Sequence, residues 1–400
     1  MLPSGRAAAS APRRSSLGRV SNPLNVLSLA QLRQRTSMKW RRFDADVLPL
    51  WVAEMDVPLP EPVVRAVTNA IAIGDSGYSH GAAYGEAMAD FADERWGWRF
   101  DVAASTNVAD VMGGIVEILN VITGPGDAVV VNSPVYTPFY RFVEHIGRRV
   151  VEAPLGDDHR IDLSVLERAF AEAAAAGRRA AFLLCSPHNP TGTVHSRSEL
   201  AGVAALAQHH RVRVVADEIH APIVLAGAAH IPYLSLPGTA RAFSLLSASK
   251  GWNLAGLKAA LAVAGAEATQ DLALMPEGVR DGPSHVGVIA HVAALRHAGA
   301  WLDELLAGLE ANRRLLRELL GELLPAVDHV RPQGTYLAWL DCRPLAMGED
   351  PAAVFLERGR VALSPGPLFG SGGDGRVRLN FATSTDILTH AVERMASALR

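Results

Sequence analysis

An α/β fold built on a mostly parallel sheet, with its ligand held at the carboxyl ends of the strands, is the architecture this sequence predicts. Three observations lead there. Short, largely apolar runs recur at 128–131, 182–185, 212–216 and 242–246, as in strands covered on both faces. Each run gives way to a polar or small residue, at Asn132, Ser186, Asp217 and Ser247. Stretches with helical spacing separate the runs, and such alternation gives a parallel sheet whose ligands sit at the strand ends.

The chain's 400 residues, 49% hydrophobic and 20% charged, provide for a large core and more than one domain. A net charge of -3 offers no argument for a nucleic-acid partner. No apolar run reaches the roughly 18 to 20 residues of a membrane span. The two cysteines, Cys185 and Cys342, lack CxxC spacing and metal-ligating neighbours, which suits a reducing cytoplasm better than a disulfide framework. Cys185, at the end of an apolar run, reads as a buried thiol rather than a nucleophile. Residues 1–26 are rich in Ala, Ser, Arg and Pro and read as a disordered extension; Arg13-Arg14 has no apolar segment behind it.

In order along the chain, 27–42 reads as helical and basic, closing on Lys39-Trp40-Arg41-Arg42 as a solvated face or a subunit contact. Residues 48–56 (LPLWVAEMD) read as an apolar strand closing on acidic residues. Pro58, Pro60 and Pro62 lead into a helix over 63–73, with Val63, Val64, Val67 and Ile71 at apolar positions and Gly74 as its stop. Gly77-Tyr78-Ser79-His80-Gly81 is a glycine-flanked aromatic turn, followed by a helix over 84–96. Gly113 and Gly114 then open an apolar helix that continues from Ile115. Paired glycines there let backbone N–H groups approach an anion, which the positive end of the helix favours. The spacing is not that of a dinucleotide fingerprint.

Gly124-Pro-Gly-Asp127 turns the chain into the strand at 128–131, which ends in Asn132-Ser-Pro-Val-Tyr-Thr-Pro-Phe139. Tyr136, held between two prolines, either lays a flat ring over a ligand or simply packs. The strand at 182–185 runs into Ser186-Pro-His-Asn-Pro-Thr-Gly192. Pro190 fixes φ and Gly192 permits a positive φ, so this turn projects the Asn189 amide inward. Asp217 closes the next strand, where a buried carboxylate demands a cation, and His220 lies three residues on. The strand at 242–246 gives way to Ser247, Ser249 and Lys250. A lysine at a buried strand end is poorly solvated; burial lowers its pKa, and the neutral amine is the form that condenses with an aldehyde cofactor. Ser247 and Ser249 offer hydroxyl donors to a phosphate. The leucine-rich helix over 301–323 is core. Strands over 334–340 and 376–382, with 364–370 between them, belong to a second, smaller domain. Arg378 falls in an alternating pattern, where it either grips a carboxylate or stands exposed on an edge.

The lysine stretch 244–258 (SLLSASKGWNLAGLK), taken with the other motifs from Tyr78 to Arg378 in their order, resembles the fold-type I pyridoxal-phosphate (PLP) enzymes of the aspartate aminotransferase superfamily. The resemblance covers about 40–400. It implies a joining segment at 27–60, a large PLP-binding domain with a seven-stranded type of sheet at 61–292 and a small α+β domain at 293–400. Lys250 would carry the cofactor, Asp217 would keep its pyridine nitrogen protonated and Tyr136 would stack on the ring. Asn189 would donate to the phenolic oxygen, with His220 nearby. Gly113, Gly114, Ile115, Ser247, Ser249 and Lys258 would gather at the phosphate, joined across a homodimer interface by the partner subunit's Tyr78. Arg378 would hold the carboxylate of an amino-acid substrate, with Trp51 beside it.

More narrowly, Trp51-Val-Ala-Glu-Met-Asp56, Gly77-Tyr78, Asp217-Glu-Ile-His220 and Ser249-Lys-Gly-Trp-Asn-Leu-Ala-Gly256 resemble the MalY/PatB group of cystathionine β-lyases, which cleave carbon–sulfur bonds. Two positions depart from the related patterns. Lys258 stands where many transaminases have a phosphate-binding arginine, and Glu54 where related lyases carry the shorter acid. The implied reaction removes the Cα proton of a β-thio amino acid. Loss of the thiolate then gives pyruvate and ammonia, whereas reprotonation at the cofactor carbon gives transamination, and both outcomes stay open. A regulatory protein that uses the fold to bind PLP or a partner is the third reading; 1–40 is short for the winged-helix domain that fused regulators place there.

Overall fold

The computed structural model describes residues 22–400. Residues 1–21 of the expected extension lie outside the described residues. The remainder of that extension is ordered, contrary to expectation. Pro23–Asn25 forms a 3-10 turn capped by the Asn22 side chain, and Leu24 is fully buried in the same core as the helix Gly299–Leu323.

Seven strands form the central sheet: β1 Ser105–Val108, β2 Ala128–Val131, β3 Arg149–Glu152, β4 Ala180–Cys185, β5 Arg213–Asp217, β6 Phe243–Leu246 and β7 Ala260–Ala264. Their order is β1-β7-β6-β5-β4-β2-β3. β3, β2, β4, β5 and β6 run parallel to their neighbours, and β7 lies antiparallel between β6 and β1. The inner strands β2, β4, β5, β6 and β7 are mostly apolar because both faces are covered, whereas β1 (STNV) and the edge strand β3 (RVVE) are more polar and less buried. Val129, Val131, Leu183 and Val215 pack with Ile115, Ile118 and Leu119, whereas Val130, Phe182, Leu184 and Val214 pack with Phe170, Leu200 and Val203 on the other side. This alternation leaves the strand ends as the natural place for polar groups.

A smaller antiparallel sheet joins β8 Leu337–Asp341, β9 Ser364–Pro365 and β10 Arg376–Asn380, with β10 in the middle. Arg378 is therefore on a central strand, opposite Trp339 and Ser364, and not on an exposed edge.

The stretch before the large sheet differs most from expectation. In place of one helix over 27–42 there are two single turns, Leu29–Leu32 and Met38–Arg41, each started by a serine. Turns this short have no independent stability and are held by the burial of Leu32 and Trp40. Lys39 is not on a solvated face: its side chain is 1% exposed and its ammonium lies 2.8 Å from Asp56. The expected strand over 48–56 pairs only at Leu48–Pro49, beside Val361–Ala362. Beyond it the main chain is tied by scattered backbone bonds, Leu50 N–H to the Ala362 carbonyl and Asp56 N–H to that of Ala382, and by side chains. Asn380 Nδ2 donates to the carbonyls of Val52 and Glu54 at 2.8 and 2.7 Å, Lys39 to that of Glu54 at 3.0 Å, and Asn253 Oδ1 accepts the Met55 N–H at 2.8 Å. The first helix after the prolines is Glu61–Ala72, and Gly74 follows it at φ +75°.

Candidate active site

A cavity of about 550 Å³ opens where β4, β5 and β6 end, and it is closed on the other side by 52–53 and by β10. Asp217 reaches it from the end of β5, where a five-residue apolar strand carries the carboxyl into the core. Burial pushes its pKa up to about 7, against the pull of the Ile219 N–H, 3.1 Å from Oδ1, and of the Lys250 charge. A carboxylate so placed favours a cationic ligand. Lys250, four residues past β6, donates to the Ala53 carbonyl at 2.8 Å. Its pKa is brought down to about 8, chiefly by burial and then by the Arg378 charge. About a tenth of the amine is thus neutral at pH 7, against less than about a thousandth for an ordinary lysine.

Arg378 is buried, and burial lowers it to about 10. Its guanidinium is aimed by three bonds: Nη1 to Asn189 Oδ1 at 3.0 Å, Nη2 to the Trp51 carbonyl at 2.7 Å and Nη2 to Ser364 Oγ at 3.0 Å. Nε finds no partner among the described residues. With its amide oxygen held by Arg378, Asn189 keeps its NH₂ as a donor. The turn carrying it has Gly192 at φ +71°, where a Cβ would lie 2.4 Å from Pro332. His220 is buried and held neutral, its pKa driven well below the usual range by burial and then by Lys250 and Arg378. Its Nδ1 also lacks a partner among the described residues, and its ring meets Tyr336 edge-on at 5.8 Å. Tyr136 lines the cavity as a phenol, its pKa raised to about 12 by burial and the Asp217 charge.

At the far end lies the helix Val111–Ile122, capped by Asp110. Gly113, Lys258 and Ser249 line the cavity there. Gly114 and Ile115 do not, which corrects their assignment. A Cβ on Gly114 would stand 2.8 Å from Leu245 and 2.9 Å from Val108, so this glycine lets the helix close on the sheet, and Ile115 is core. The Ser247 hydroxyl is also committed elsewhere: it donates to the Ala259 carbonyl at 2.8 Å and accepts the Ser249 N–H at 3.1 Å. Ser249 is the hydroxyl of the pair that remains for a ligand. Trp51 takes part through its carbonyl. Its indole packs edge-on against Phe43 at 5.8 Å and under Arg42, away from the cavity lining. Tyr78 is 89% exposed and outside this cavity.

Several cavity groups were not assigned to the site from sequence. Asp110 has the form of any helix cap, and Cys185, its thiol pushed up by burial, forms part of the wall. The Ala53 carbonyl, which also accepts from Tyr336 Oη at 3.0 Å, is a main-chain acceptor that no residue type announces. The set suits a ligand with a cationic ring edge at Asp217, a carbonyl at Lys250 and an acid at the Arg378 guanidinium.

Residues 50–395 match the family model described as aminotransferase class I and II. The chain is 56% identical over 402 aligned positions to a putative cystathionine beta-lyase of Mycobacterium tuberculosis, covering 95% of this chain and 99% of that relative. It is 33% identical to the cystathionine beta-lyase PatB of Bacillus subtilis, covering 91% and 96% of the two chains. Among solved structures, a putative PLP-dependent beta-cystathionase from Corynebacterium diphtheriae superposes with a TM-score of 0.88 at 33% identity, over 94% of this chain and 99% of that one. A continuous match over the sheet, the lysine and the arginine strand leaves one assignment: the chain belongs to the aminotransferase class I and II family.

Proposed function

We propose that this protein is a PLP-dependent carbon–sulfur β-lyase that converts cystathionine or a related cysteine S-conjugate, with water, to a thiol, pyruvate and ammonia. The observation that carries the reading is Lys250, an amine with lowered pKa, in one cavity with a buried carboxyl at Asp217 and a carboxylate clamp at Arg378. The similarity to cystathionine beta-lyases over nearly the whole chain supports it. PLP, when bound, supplies an aldehyde that condenses with amines and a ring that draws electron density from Cα.

The chain's residues then divide the work. Asp217 balances a protonated ring nitrogen. Lys250 would hold the aldehyde of the cofactor and, as a free amine, would serve as the general base for the Cα proton, its pKa of about 8 lying near ambient pH. Arg378 would receive the substrate carboxylate while Asn189, Trp51 and Ser364 hold its guanidinium in place. Tyr136 would cover the ring, and Asn189 and the neutral His220, which line the same cavity, would serve its phenolic oxygen. Gly113, Ser249 and Lys258 serve the phosphate. Our reading includes a cytoplasmic homodimer in which the exposed Tyr78 completes the partner's phosphate site, and a division into domains at about 292.

Incubating the protein with cystathionine alone tests the proposal. Continuous release of pyruvate and thiol without added 2-oxo acid is expected. Stoichiometric conversion to pyridoxamine phosphate with no thiol released would identify a transaminase instead.

A further inference from the structure

One carboxylate at the amino end of the helix Val111–Ile122 takes two of the cavity's donors. Asp110 Oδ1 accepts the Gly113 N–H at 2.8 Å, and Oδ2 pairs with Lys258 Nζ. These are a helix-terminal N–H and a cation, the kind of donors an anion seeks, at the end of the cavity where the cofactor reading seats the phosphate. Burial works to raise the Asp110 pKa, but the bonds from Lys258 and Gly113 outweigh it and hold the group below the usual carboxylate range. A phosphate arriving here meets a like charge and donors already engaged.

We propose that Asp110 is a resident competitor for the cofactor phosphate: its carboxylate holds the anion position at the helix terminus, and phosphate binding must take Gly113 and Lys258 from it. The inference rests on the PLP reading and concerns cofactor affinity. If Asp110 instead only aimed Lys258 at the phosphate, removing its charge would weaken binding, so the two roles differ in sign.

Asp110→Asn separates them. An asparagine oxygen still accepts the Gly113 N–H and caps the helix, while the charge is gone. Cofactor-free protein is titrated with PLP and, separately, with pyridoxal, which lacks the phosphate, and the visible absorbance of the lysine-bound aldehyde is followed. The PLP dissociation constant is expected to fall by roughly fivefold in the variant, the upper scale of a partly solvated charge pair. The pyridoxal constant should stay within about twofold, since the competing charge faces only the phosphate. Unchanged or weaker PLP binding overturns the proposal, and so does an equal gain for pyridoxal. Asp110→Ser, a second capping variant without charge, guards against a local packing effect and should match Asp110→Asn; a loss of PLP affinity in both variants overturns the proposal. Failure of the PLP reading itself looks different, because the wild-type protein would then take up neither aldehyde.

Discussion

Neutralising Asp217 separates its effect on the fold from its service to the cofactor. In the cofactor-free protein this carboxyl is 5% exposed, and its pKa rises from 3.8 to about 7 chiefly because burial removes its water. A group whose folded pKa lies above its unfolded one stabilises only while protonated. That contribution is complete below about pH 3.9 and is lost as pH rises through about 7. At roughly 1.4 kcal/mol per pKa unit, the charged form burdens the fold by about 4 kcal/mol at pH 8 and by about 1.5 kcal/mol at pH 5. Solvent screening does not reduce this, because the group is buried. Asp217→Asn, similar in size and never charged, should therefore gain on the wild type by about 2 to 3 kcal/mol more at pH 8 than at pH 5. Urea denaturation at fixed protein concentration across this pH range measures the difference. Added PLP should reverse the ranking at pH 8, since a ring cation then partners the wild-type carboxylate. A stability difference that is flat with pH, or equal stabilisation of both proteins by PLP, refutes the argument.

Three further outcomes are expected. Lys250→Ala should take up no PLP covalently and lose turnover, while borohydride should fix the label of the wild type on Lys250; its pKa of about 8 makes covalent uptake speed up as pH rises through that value, and a variant with full turnover sinks the assignment. Arg378→Lys keeps the charge but not the fork, so KM should rise by roughly 30-fold, the equivalent of about 2 kcal/mol, with a smaller change in kcat; an unchanged KM in steady-state kinetics places the substrate carboxylate elsewhere. Tyr78→Phe should lower PLP retention in a dimer whose size sedimentation reports, and an active monomer contradicts the shared site.

The four parallel strands β2, β4, β5 and β6 were legible because burial on both faces leaves a mostly apolar run, and the residues ending them were legible because a charge at such a place is costly; β1 (STNV) and β3 (RVVE) carry polar residues and gave no such signal, and β7 was not singled out. Asp217 and Lys250 stand out for that reason. Gly113 and Gly114 read alike in sequence, yet one lines the cavity and the other relieves a clash with Leu245 and Val108, a distinction that depends on the distance from helix to sheet. Ser247 has the chemistry of a phosphate donor, but its neighbour Ala259 claims its proton. Lys39 sits in a basic run whose charge pattern suits solvent, and only the tertiary position of Asp56 makes it a core residue. Trp51 drew notice for its indole, whereas its carbonyl holds Arg378.

The side chains around the cavity are anchored on the carbonyls of 51–54: Trp51 receives Arg378, Ala53 receives Lys250 and Tyr336, and Val52 and Glu54 receive Asn380. Every amino acid brings the same carbonyl, so this part of the site is indifferent to residue type and sensitive to the course of the chain. A substitution here keeps these acceptors wherever the backbone follows the same path. The vulnerable atom is the Met55 N–H held by Asn253. Met55→Leu leaves it in place, whereas Met55→Pro deletes it, and only the second change is expected to abolish activity.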